Sequence, residues 1–187
     1  MIIAFMLFAK SVFAQKDTVG LHVPFINNTV VYERVFDAPS NTQNLLYSNA
    51  ALWLAETHPY VLNTQLTLQD PAISRVVGRA NSYIGGTYKV LWQTEYYTYN
   101  FSFTIQIDCK DNKYRIRIYN IEDVIDNTVH TPIDDMMQSL INSKSLTLGT
   151  GGVMKKADFQ KCLNALNSVV QSVITDINNN ITADNSF

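Results

Sequence analysis

Few side chains in this chain could do more than pack. Three histidines, His22, His58 and His130, lie far apart and lack the spacing of metal ligands. His130 precedes Asp134 and Asp135, a grouping that would suit acid–base or metal chemistry, but one His and two Asp in that order match no metal motif. His130-Thr131-Pro132 reads as a turn, and the two carboxylates as the first turn of a helix, where the helix dipole favours negative charge. Glu122-Asp123-x-x-Asp126 could draw a cation and reads as a solvated loop. Gly149-Thr150-Gly151-Gly152 followed by Lys155-Lys156 resembles a phosphate loop without the Walker spacing, and reads as a flexible connection between helices. No Gly-x-Ser-x-Gly elbow occurs, and neither cysteine has a histidine near it in sequence. The expectation is a chain with no catalytic residue, no metal and no cofactor.

The elements that would carry these residues follow from periodicity. Thr29 to Phe36 is rich in β-branched and aromatic residues and predicts a strand. After Asp37-Ala38-Pro39, Ser40 or Asn41 can cap a helix from about Thr42 to Thr57, with Leu46, Ala50, Trp53 and Leu54 at helical spacing. Leu66 to Leu68 and Ile73 to Ala80 flank Asp70-Pro71 and predict a hairpin. Gly85-Gly86 predicts a break, with Lys89 to Tyr97 continuing as strand. Tyr83, Tyr88, Trp92, Tyr96, Tyr97 and Tyr99 make this the most aromatic stretch, read as core and rim of a sheet. Pro132 to Ile141 predicts a short helix. Asp158 can cap a last one to about Ile177, whose apolar stripe runs from Phe159 and Cys162 to Ile177.

The sharpest pattern runs from Tyr99 to Ile121. Tyr99, Phe101, Phe103, Ile105, Ile107 and Cys109 alternate with polar residues, and after Lys110-Asp111-Asn112-Lys113 so do Tyr114, Ile116 and Ile118. A two-residue loop at Asp111-Asn112 sets Ile107 opposite Ile116, Ile105 opposite Ile118 and Asp108 opposite Arg115. The apolar sets of both strands then share one face. The opposite face carries Thr104, Gln106, Asp108, Arg115, Arg117 and Tyr119, open to water as antiparallel sheets allow. Thr104, Gln106, Arg115, Arg117 and Tyr119 are the candidate residues for holding a polar or acidic partner, since Arg and Tyr are enriched at interfaces.

The order strand, helix, antiparallel strands, helix predicts one α+β domain, an antiparallel sheet covered on one face by helices. Val30-Val31-Tyr32-Glu33-Arg34-Val35, the helix carrying Trp53 near its end, and Val77-Gly78-Arg79-Ala80 with its Gly-basic pair resemble a family of exported bacterial domains of unknown function. The resemblance covers roughly residues 23–145. It implies a TATA-binding-protein-like (TBP-like) fold and export from a Gram-negative bacterium, and brings no activity and no catalytic residues. Nucleic-acid binding does not follow from the shared fold.

The composition agrees with a folded, non-membrane domain. The chain has 187 residues, 47% hydrophobic and 16% charged, with a net charge of −2, which leaves no basic footprint for nucleic acid. Cys109 and Cys162 fall on apolar faces and read as buried, unbonded thiols. Sequons start at Asn27, Asn100 and Asn180, as chance predicts among 18 asparagines. Met1 to Ala9 is an unbroken apolar run, too short to span a bilayer, and Val12-Phe13-Ala14 precedes polar Gln15-Lys16-Asp17. This reads as a signal peptide over 1–14, without a basic n-region, then a leader over 15–28, the domain over 29–177 and a frayed tail over 178–187. The functional expectation is a non-enzymatic module of the periplasm or cell envelope that binds a protein or small polar ligand. The competing one is a hydrolase-like enzyme with a dispersed site. N-terminal sequencing of the exported protein should begin at Gln15; a mature chain starting at Met1 would overturn the signal-peptide reading.

Overall fold

The computed structural model describes residues 23–56, 58–59, 61–90, 93–125, 129–142, 145–147 and 153–183. The signal peptide expected over 1–14, the first part of the leader over 15–22, Asp126, Trp92 and the Gly149–Gly152 loop fall outside these residues. A main antiparallel sheet is built from β3 (Tyr32–Asp37), β4 (Asn63–Asp70), β5 (Arg75–Val90), β6 (Gln93–Lys110) and β7 (Lys113–Ile125), in the spatial order β3-β7-β6-β5-β4. The short β8 (Val129–Pro132) pairs with the far end of β7. Helices α1 (Gln43–Ala55), α2 (Ile133–Asn142) and α3 (Lys156–Ile181) complete an α+β fold.

The hairpin register follows the sequence pattern. Ile107 pairs with Ile116, Ile105 with Ile118 and Asp108 with Arg115. Because opposite residues share a face, Phe101, Phe103, Ile105, Ile107, Ile116 and Ile118 are all fully buried on the helix side. Each such side chain contributes on the order of 1.5–3 kcal/mol of burial. Against them lie Leu46, Ala50, Trp53 and Leu54 of α1, Met136, Met137 and Leu140 of α2, and the stripe of α3 from Phe159 to Ile181, in one continuous core. Cys109 and Cys162 are buried free thiols within it, and burial pushes the Cys109 thiol up to about 12.

The turn at Asp111-Asn112 also holds the start of α1. Asn112, in the left-handed region at φ 62°, accepts from Ser40 N–H through its side chain, while its own N–H donates to Asn41 O. Asp111 Oδ1 accepts from Gln43 N–H, an acceptor placed on the helix N-terminus. The N-cap is Thr42, one residue beyond the expected pair, with its hydroxyl accepting from Leu45 N–H.

Several elements differ from the sequence expectations. β5 runs through Gly85-Gly86 to Val90 and β6 starts at Gln93, so the glycines sit inside a strand and the chain reverses beyond them. Lys89 to Tyr97 is therefore the end of one strand and the start of the next. The leader reading fails over its last residues. β1 (Phe25–Ile26) and β2 (Thr29–Val30) form a small hairpin around Asn27 and Asn28, both at positive φ, and Val23 and Phe25 are buried in the core. The tail reading fails over 178–183: α3 continues to Ile181, which is fully buried, because Asn49 Nδ2 donates to the carbonyls of Ile181 and Ala183 and Tyr114 Oη donates to Asn178 Oδ1. A further hairpin, β9 (Ser145–Thr147) with β10 (Val153–Lys155), was not legible in sequence.

Gly78 lies where Leu54 of α1 comes close to the sheet backbone. A Cβ there would stand 2.8 Å from Leu54 Cδ2, inside a fully buried neighbourhood. Gly78→Ala should lower the unfolding free energy by about 1–3 kcal/mol in urea melts, the usual cost of overpacking. In a Leu54→Ala background the same substitution should cost close to nothing, and an equal cost in both backgrounds would assign the penalty elsewhere.

Candidate functional site: the helix-free sheet face

The alternation that buries the isoleucines turns a different set of residues outward. Across β5, β6, β7 and β3 the register lines up Arg75, Asp108, Arg115 and Val35 in one row, then Val77, Gln106, Arg117 and Glu33, then Arg79, Thr104 and Tyr119. A bulge between Ser102 and Thr104 shifts the pairing by one, so Ser102 meets Glu122 and the face continues with that pair. The chain has five arginines, and four of them, Arg75, Arg79, Arg115 and Arg117, stand on this face.

Charges of opposite sign alternate across it. Asp108 accepts from Arg75 Nε through Oδ1 and from Arg115 Nε and Nη2 through Oδ2, with Gln106 Nε2 on the same oxygen. Burial raises the Asp108 carboxyl, but the hydrogen bonds from Arg75, Arg115 and Gln106 outweigh it and hold the group below its ordinary value. Arg117 Nε lies 2.9 Å from Glu33 Oε2 at an angle that makes an ion pair rather than a hydrogen bond, and its guanidinium rests 5.4 Å from the centre of the Tyr119 ring. Arg79 Nε donates to Ser102 Oγ, and Arg79 Nη2 to Glu122 Oε2.

Arg115 and Arg117 keep 38% and 34% of their side-chain surface and lie away from the helices. Thr104 and Tyr119 are half-buried beside them. Gln106 departs from expectation: it is only 6% exposed, since Tyr119 Oη donates to its Oε1 and its own amide is spent on Asp108. It forms floor, whereas the other four candidates form surface. Arg75 and Arg79 belong to the same patch and were missed. Their strand pairs with β6 through a connection whose register no local turn signal sets, so only tertiary pairing brings them beside Asp108 and Thr104.

The clusters that invited metal or acid–base readings are dispersed. His130 lies in β8, not in a turn, and its Nδ1 is 3.1 Å from Glu122 Oε2 rather than beside Asp134. Asp134 and Asp135 occupy the first turn of α2 as expected, and Asp134 Oδ1 accepts from Val30 N–H at 2.7 Å, tying the β1–β2 hairpin to the helix. Glu122 and Asp123 belong to β7 instead of a loop, and alternation sends them to opposite faces. His58 stacks on Trp53 between α1 and α3, with Nδ1 3.1 Å from Asp176 Oδ2 and Nε2 2.6 Å from Trp53 O. Trp53 Nε1 donates to the same Asp176 oxygen, so this buried group fastens two helices.

Asp123 is the buried carboxylate of the helix side, 5% exposed, opposite Phe101. Burial pushes it up to about 6, and a backbone hydrogen bond at Asn100 offsets only part of the shift. A carboxyl whose folded value is raised binds its proton more tightly in the native state. The native state therefore loses stability as pH rises from the unfolded value near 4 through about 6. Asp123→Asn should remove this slope. The variant should match wild type at pH 4 and exceed it at pH 8 by about 2–3 kcal/mol in denaturant melts. A pH-independent difference between the two proteins would show that Asp123 does not titrate this way.

Comparison with known proteins bears on the fold. The chain resembles the crystal structure of a DUF4468 family protein from Bacteroides ovatus, with a TM-score of 0.64 at 14% identity over 90% of this chain and 95% of the other. It also resembles a TBP-like protein from Parabacteroides distasonis, with a TM-score of 0.60 at 14% identity over 85% of this chain and 96% of the other. At such identity the likeness is one of fold. No curated protein matches the chain. No helix among the described residues is long and apolar enough to cross a membrane. Residues 32–123, which hold β3, α1 and the sheet through Asp123, match the model of the domain of unknown function DUF4468 with TBP-like fold, and the chain carries a domain of that family.

Proposed function

We propose that this protein is a non-enzymatic module of the bacterial cell envelope that holds a polar or acidic partner on its helix-free sheet face. The observation that carries the reading is the gathering of four of the chain's five arginines on that face, in register, in a protein whose net charge is −2. Each guanidinium offers five N–H donors, and the internal carboxylates Asp108, Glu33 and Glu122 use only some of them. Those internal pairs hold the forks in place, which lowers the ordering cost of meeting a carboxylate-bearing or otherwise polar surface. Tyr119, lying under Arg117, supplies a flat contact area of the kind interfaces favour. The apolar run over Met1–Ala9 and the Val12-x-Ala14 site support export to the envelope.

Charge reversal tests the face. Arg117→Glu should weaken binding to an immobilised glutamate-rich peptide, and capture of envelope proteins by the same bait, by about tenfold. The variant should still fold, because the half-exposed Arg117–Glu33 ion pair contributes only about 1 kcal/mol. Unchanged binding by a folded Arg117→Glu variant would remove the face from the interaction.

A further inference from the structure

The two outer strands of the main sheet are guarded very differently. β3 is protected by charge: Glu33, Arg34 and Asp37 lie within its six residues. β4 has none of this. From Thr57 to Gln69 the chain carries no Lys, Arg, Asp or Glu, and the strand reads Asn-Thr-Gln-Leu-Thr-Leu-Gln before Asp70 ends it. Leu62 just before β4, Leu68 within it and Ile73 in the following turn are each about half exposed. Among the described residues no strand pairs with the outer edge of β4. An uncharged edge with bare N–H and C=O groups is a template for another strand. One device limits it. Thr67 forms a bulge between Leu66 and Leu68, its hydroxyl donating to Val77 O, and leaves a regular edge only from Leu62 to Leu66.

We infer that this segment pairs antiparallel with the same segment of a second copy, joining two sheets edge to edge about a two-fold axis at Thr64. Residues directly opposite share a face in antiparallel pairing, so a symmetric contact must set residues of equal parity against each other. Centred on Thr64, that rule puts Asn63 against Gln65 and Leu62 against Leu66, amide facing amide and leucine facing leucine, without a charge in the contact. The same operation on β3 sets Glu33 against Glu33, Arg34 against Arg34, or Glu33 against Asp37, according to whether the axis falls at 33, 34 or 35. Like charges oppose one another in each of these three registers, so self-pairing through the centre of β3 is disfavoured, whereas β4 meets no such opposition. The contact lies at the sheet edge, apart from the arginine face, so it stands or falls independently of the partner proposed there.

Sedimentation equilibrium of the full chain tests the inference. Wild type should show a concentration-dependent mass approaching twice the 21.2 kDa of one chain. Asn63→Lys with Gln65→Lys sets like charges opposite each other twice across the axis and should give a monomer. Asn63→Lys with Gln65→Glu sets opposite charges there instead and should restore the dimer, now weakened by added salt while the wild-type dimer is not. A wild type that stays monomeric at its highest soluble concentration overturns the inference, as does a dimer that survives the double lysine substitution. If the double lysine variant fails to fold, the lysine–glutamate variant decides: a dimer insensitive to salt overturns the assignment of this edge.

Discussion

The register of the β6–β7 hairpin is the constraint on which the rest of the molecule depends. Side chains along a strand alternate between faces, so a slip of β7 by one residue against β6 at Asp111-Asn112 would send Ile116 and Ile118 into water and Arg115 and Arg117 into the core. The turn is held against such a slip from outside the hairpin. Asn112 bonds the segment entering α1 through its side chain and its backbone, and Asp111 receives the N–H of Gln43. The same contacts place the first helix over the sheet. Burial, register and the aim of α1 therefore share one small cluster of hydrogen bonds.

The two faces of the sheet solve opposite problems. On the helix side the demand is dry packing, met by isoleucines and phenylalanines below α1, α2 and α3; several polar groups there find partners, while the buried Tyr32 hydroxyl has none among the described residues. His58, Trp53 and Asp176 join α1 to α3 in this way, and Asn49 secures the end of α3. Asp123 is an exception, a carboxylate brought to the dry side because the bulge opposite Ser102–Thr104 shifts the alternation of β7 by one residue. On the other side the demand is to keep a bare sheet face ordered in water. Asp108 between Arg75 and Arg115, and Glu33 beside Arg117, align long side chains along the strands and leave donors over. In water such pairs stabilise the fold little. Their larger effect is to preset the geometry of the surface.

The edges complete this division. Among the described residues the main sheet ends in two outer strands, β3 and β4, and charge is divided unevenly between them. β3 carries three charged residues and β4 one, at its last position. The bulge at Thr67 restricts the open edge without closing it.

The chain's own residues determined the hairpin, because strict alternation and a two-residue turn are local properties that a short window contains. They also determined the helix positions, the buried cysteines, the family resemblance later matched over 32–123, and the outward set Thr104, Arg115, Arg117 and Tyr119. What only tertiary structure decided depends on contacts distant in sequence. Gln106 alternates as an outward residue, yet Tyr119 and Asp108 cover it. Arg75 and Arg79 joined the face through pairing with β6, some thirty residues away, which no local signal registers. His130 exchanged its expected neighbours for Glu122 because β8 adds to β7. The polar stretch after Ile177 looked like a tail, since its partners Asn49 and Tyr114 are more than sixty residues upstream, and a helix end is held by the groups that meet it in space.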